Sequence, residues 1–108
     1  MEGQLMANNE SGMNEDKSPE PLDVTSLDVY RLLELFIGVL SEQAWQYIGL
    51  RVRPASQKVE KDMPRAKVAI DCISYMIERL EPQVSDAEKN KLRALLADLQ
   101  INFVRQQQ

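Results

Sequence analysis

Apolar side chains gather in one dense stretch and two sparser ones, separated by a charged interval and preceded by a polar lead-in. The dense stretch is Val29 to Leu50, VYRLLELFIGVLSEQAWQYIGL, where fourteen of 22 residues are apolar and only Arg31, Glu34 and Glu42 are charged. At about 100° per residue its apolar side chains sweep from Leu35 through Val39, Leu32, Phe36 and Ile37 to Ile48, an arc of roughly 220° against the about 100° that one core face requires. One flank of this helix is therefore spare. Trp45 stands among the polar remainder, one heptad after Gly38. Two readings of it stay open: a glycine below an indole leaves a notch for another backbone, or Trp45 caps the chain's own core from the helix edge.

Two further helices follow. Met63, Ala66, Ile70, Ile73, Ile77 and Leu80 recur at three- and four-residue steps, and Leu92, Leu95, Leu96, Leu99 and Phe103 do the same after a short link. The punctuation agrees with this division. Thr25-Ser26-Leu27-Asp28 loosely matches a capping box and places the first start near Ser26, while Gly49 marks the first end. Asp62 caps the second helix, with Pro64 in its first turn, where a missing backbone donor costs little. Pro82 ends it, and Ser85 to Glu88 form the strongest capping box in the chain. The interval LRVRPASQKVEKDM carries a turn at Pro54 to Gln57 and no strand pattern of useful length.

A short link between amphipathic helices predicts an antiparallel hairpin, with the long first helix packed on it. The fold expected is all-α, a three-helix unit over residues 27–105 with a disordered acidic tail over 1–26. Three helices of this size seldom supply more than a few kcal/mol of stability alone. The overwide arc then points to dimerisation through the first helix, with Leu32, Leu35, Val39 and Trp45 as the self-association residues and a two-fold homodimer as the expected assembly.

Charge sharpens the division between tail and domain. Of the chain's net −4, residues 1–26 supply −5, so the acidity belongs to the tail and the rest carries +1. A solubilising extension and an acidic interaction arm both fit such a tail. Within the domain, Arg51, Arg53, Lys58, Lys61, Arg65 and Lys67 oppose only Glu60 and Asp62. This basic connection, 51–67, is a candidate contact for an anion or partner through Arg51, Arg53, Lys58, Lys61 and Arg65. RNA or ribonucleoprotein binding there is the alternative function, although the segment lacks aromatics interleaved for base stacking.

The same residues resemble an uncharacterised family of short bacterial proteins known as a domain of unknown function. The likeness runs over roughly residues 28–105. It is carried by the apolar first helix ending in Ile48-Gly49, the Pro-containing turn, the step from Ala66 to Asp71, and the capped last helix. Members usually carry glycine where this chain has Gln57 and leucine where it has Met63. The resemblance implies a small helical fold and bacterial origin, and no activity.

Chemistry is poorly provided for. The chain has no histidine, so Ser-His and Cys-His pairs and the Glu-x-x-His ligand motif are unavailable. No catalytic, cofactor-binding or metal-binding residues are expected, and the reading is non-enzymatic. Cys72, the only cysteine, is expected as a small buried hydrophobe at the border of the second helix's stripe. Asp71 is expected to pair with Lys67 or to bond Tyr75. The longest charge-free run of the first helix falls far short of the about 20 residues that a membrane span needs, and no signal segment is seen, so a cytoplasmic location is expected.

Overall fold

The computed structural model describes residues 23–107. Three helices account for most of them: α1 (Val29–Ile48), α2 (Met63–Leu80) and α3 (Asp86–Gln107). Short 3-10 turns occupy Val24–Ser26 and Glu81–Gln83. The fold is all-α, and no strand occurs among the described residues. An isolated bridge between Arg53 and Lys58 is the only extended pairing there.

Each helix begins at a side chain that takes up an amide left free by the first turn. Asp28 accepts from the Tyr30 amide at 2.9 Å, Asp62 from the Arg65 amide at 3.1 Å, and Ser85 Oγ from the Glu88 amide at 3.2 Å. The first of these corrects the expected start near Ser26. Asp23 has already engaged Thr25 and Ser26: its carboxylate accepts from the Thr25 hydroxyl at 2.6 Å and amide at 3.0 Å, and its carbonyl accepts from the Ser26 hydroxyl at 2.7 Å. Those residues therefore close a separate 3-10 turn, and Leu27 returns to an extended conformation before Asp28 opens α1. Residues 23–26 of the expected disordered tail thus form this turn, and the remainder of the tail, up to residue 22, lies outside the described residues.

The end of α1 is where the sequence places it. Gly49 has φ 95°, its amide donates to Gln46 O at 3.0 Å and the Leu50 amide to Trp45 O at 3.0 Å. This paired closure needs a left-handed residue that glycine supplies without a Cβ clash. A Cβ at Gly49 would also meet Lys61 Cε at 3.3 Å. The connection then folds back on itself. The Arg53 amide donates to Lys58 O at 2.8 Å and the Gln57 amide to Arg53 O at 2.7 Å, with Gln57 at φ 59°. Just before α2, the Asp62 amide donates to Tyr47 O at 2.8 Å and ties the connection to α1.

The core is built from Ile37, Ala44 and Ile48 of α1, from Ala66, Ala69, Ile70, Ile73, Ile77 and Leu80 of α2, and from Leu92 and Leu99 of α3. α1 and α2 run antiparallel, since Tyr47 near the end of α1 meets the start of α2 while Phe36 and Val39 lie beside Tyr75 and Met76. α2 and α3 also run antiparallel, with Arg93 on Glu81 at one end and Phe103 beside Ile70 at the other. The expected hairpin is therefore present, but the most extensive packing is between α1 and α2, and α3 makes the lesser contact. Buried Ala44, Ala66 and Ala69 explain the preference, because small side chains let two helices approach closely. α3 contributes only two fully buried residues, with Leu95, Leu96 and Phe103 half-covered. Ser41 is a polar group in the core of α1, and its hydroxyl is satisfied by Ile37 O at 2.6 Å.

Candidate functional site: an open apolar face on α1 and α2

α3 does not cover both sides of the α1–α2 pair. Relative to Ile37 at the centre of α1's buried face, Phe36 lies about 100° to one side and Val39 about 160° in the same sense by helical geometry. Both are exposed, at 44% and 52%. On α2, Cys72 and Tyr75 lie on the matching flank, and Tyr75 is 63% exposed. Between the helices runs an apolar groove of about 570 Å³ lined by Phe36, Val39, Leu40, Cys72, Tyr75 and Met76, with Asp71 at its rim. A smaller cleft of about 220 Å³ continues it past Leu40 and Cys72 to Gln43, Tyr47, Arg65 and Val68. These two clefts share Leu40 and Cys72, so they form one face whose middle lies at those residues.

The structure divides the four expected self-association residues. Val39 stands on the open groove. Leu32 is half-buried on the same side of α1. Leu35, 38% exposed, belongs to a separate shallow cleft with Leu27, Arg31 and Glu34. Trp45 is not brought together with the others: it lies about 80° to the opposite side of Ile37 and packs against the chain's own core. Gly38 meets nothing within 4 Å, so no backbone among the described residues fills the space above it.

Cys72 overturns the expectation of a buried hydrophobe: it is exposed on the groove. By spacing it sits at the border of α2's apolar stripe, and the side that α3 leaves open is the side on which it falls. Asp71 is as expected, with Lys67 Nζ 2.9 Å from its Oδ2. The contribution of α2 to the open face was not expected from the sequence. A usable signal existed, because Val68, Cys72 and Tyr75 repeat at four and three residues outside the core stripe.

The basic connection is largely engaged within the molecule. Arg51 pairs with Glu42. Arg53 stacks over the Tyr47 ring at 4.4 Å and holds its Nε 3.4 Å from Glu60 Oε1, an ion-pair distance without an aligned hydrogen bond. Arg65 Nη1 lies 2.6 Å from Asp62 Oδ2, and Lys61 Nζ donates to Gln106 O at 3.0 Å. Lys58 alone among the five candidate contacts has no side-chain partner among the described residues. The Arg65 side chain, seconded by its amide, holds the Asp62 carboxyl below its ordinary value, and the pairing raises Arg65 in turn. At the α2–α3 junction Arg93 grips both oxygens of Glu81, at 2.6 and 3.1 Å, and that hydrogen bonding lowers Glu81.

No group of three or more cysteine, aspartate or glutamate residues among the described residues is placed to hold a metal ion. No helix there is long and apolar enough to cross a membrane. Comparison by sequence decides the lineage: the family described as a domain of unknown function, DUF1844, matches residues 30–105. The chain belongs to the DUF1844 family. The match spans α1, α2 and α3 almost end to end, so the DUF1844 domain here is the three-helix unit itself. Neither the curated proteins nor the solved structures contain a match.

Proposed function

We propose that this DUF1844 protein is a small non-enzymatic interaction module of the bacterial cytoplasm that self-associates through α1. The observation that carries the reading is the uncovered apolar flank of α1, where Phe36 and Val39 are 44% and 52% exposed although the helix already buries Ile37, Ala44 and Ile48 elsewhere. A contiguous apolar surface of this kind marks an association site on a soluble domain. Charge does not oppose it, because the twelve cations of residues 23–107 are balanced by twelve carboxylates. The internal pairing of Arg51, Arg53 and Arg65 supports self-association over RNA binding by the connection, since those cations would have to leave their partners to reach phosphates.

Gel filtration with light scattering tests the reading. The mass should exceed one chain, and Val39→Glu or Leu35→Arg should lower it while leaving the helical circular dichroism intact. A single-chain mass at high protein concentration that neither substitution changes refutes it.

A further inference from the structure

The residues on the open side of α1 and α2 share one rhythm. On α1, Leu32, Phe36 and Val39 recur at four and three residues; on α2, Val68, Cys72 and Tyr75 do the same. Spacing of this kind is the seam of a helical bundle, in which each side chain enters a gap on a facing helix. Here Phe36 and Val39 face Cys72 and Tyr75 across one open groove, Val68 lies on the cleft that continues it, and none of the described helices covers them. Building on the self-association proposed above, we infer that the occupant is the α1–α2 face of a second copy, so that two protomers form a four-helix layer with each α3 on the outside.

Three observations favour a second copy. The exposed parts of Phe36, Val39, Val68 and Tyr75, with their half-buried neighbours, offer on the order of 500 Å² per protomer, well over half the about 800 Å² each partner brings to a standard interface. A groove of about 570 Å³ is too large for one side chain and suits several, as a facing seam provides. The charged groups on the two clefts are Asp71, already paired with Lys67, and Arg65, already paired with Asp62, so two identical faces can meet without burying an unmatched charge. The arrangement is isologous, with each face contacting itself across a two-fold axis.

That symmetry fixes a distance. Leu40 and Cys72 lie in both clefts and so mark the middle of the face. In a face-to-face contact the two-fold axis lies in the interface plane and passes near that middle. Whether the axis runs along the helices or across them, Cys72 comes within ~15 Å of its copy, because neighbouring helix axes in a bundle are about 8–10 Å apart. Cys72 is the only cysteine in the chain, so it reports on this contact alone.

The experiment uses the full chain with a bis-maleimide whose spacer is ~15 Å, set by the axis spacing above. Wild type should run as a dimer by light scattering and give a single cross-linked band. Tyr75→Glu, at an exposed position, should weaken dimerisation at least about tenfold and abolish the band, with helical content unchanged. A dimer that Leu35→Arg dissociates but Tyr75→Glu does not, and that Cys72 does not cross-link, overturns the four-helix layer and leaves self-association through α1 standing. A single-chain mass throughout overturns both. Should Tyr75→Glu fail to fold, the wild-type cross-link decides by itself: its presence in a dimer supports the layer, and its absence from a dimer refutes it.

Discussion

Replacing Gln57 by glycine isolates a cost that the fold carries in its connection. Gln57 sits at φ 59°, the only non-glycine residue with positive φ among the described residues. For an L-residue the left-handed region costs about 1–2 kcal/mol, because Cβ crowds the following carbonyl oxygen. Glycine relieves this but loses about 0.5–1 kcal/mol in chain entropy on folding. The Gln57 Nε2 bond to Pro54 O, 2.8 Å long and exposed, disappears in the variant; at the surface such a bond contributes about 0.5 kcal/mol or less. The balance is a stabilisation of about 0.5 kcal/mol, which raises Tm by roughly 2–4 °C for a domain of this size. Gln57→Ala is the control. It keeps the backbone cost, loses the side-chain bond, and should fall below wild type, leaving a gap of about 1 kcal/mol between the two variants. Thermal unfolding followed by far-UV circular dichroism measures both, at one fixed protein concentration because association shifts Tm. If glycine and alanine prove equal, or glycine the less stable, the backbone at Gln57 is not strained.

Two further perturbations separate other parts of the structure. Gly38→Ala places a methyl where nothing lies within 4 Å, inside a helix where glycine is unfavourable, so it should stabilise by about 0.5–1 kcal/mol; because Gly38 faces away from the groove proposed for self-association, the mass in solution should match that of wild type, and a fall in mass would show that the notch beside Trp45 is used instead. Asp23, Asp62 and Glu81 sit below their ordinary values of 3.8, 3.8 and 4.5, so they bind fewer protons folded than unfolded. Their contribution is present above those values and is lost as pH falls through the lowered ones. Urea titrations from neutral pH down through the carboxylate range should show stability level above about pH 5.5 and declining below it, with a shallower decline in Glu81→Gln; an unchanged slope in that variant would refute the role of the Arg93 pair.

The elements were legible in the sequence where punctuation is local. Gly49, Asp62, Pro64 and Ser85 each act on amides or carbonyls within a few residues, and all four do what their residue types predict. Thr25 and Ser26 misled because another local acceptor, Asp23, reached them first, and two competing caps three to five residues apart cannot be ranked by pattern alone. The partner preference of α2 was not legible. Periodicity shows that α2 has an apolar stripe but not which neighbour lies against which edge, and the alanines that draw α1 close look unremarkable as letters. The same blindness put Cys72 inside. Its angular position is on the border, and only the side on which α3 settles determines whether it is covered. The α1 half of the candidate face was visible as an overwide arc, while the α2 half required knowing what α3 leaves bare.

Asp28, Asp62 and Ser85 make their capping bonds within three residues along the chain. The phase of every helix, and hence the direction in which each stripe points, is thereby specified by nearest neighbours before any distant part of the molecule is in place. Assembly of the protomer then joins three helices whose apolar sides are set by local sequence, linked by two tethers. A chain of this kind belongs among the fast folders, where rate follows the shortness of the sequence span between touching residues.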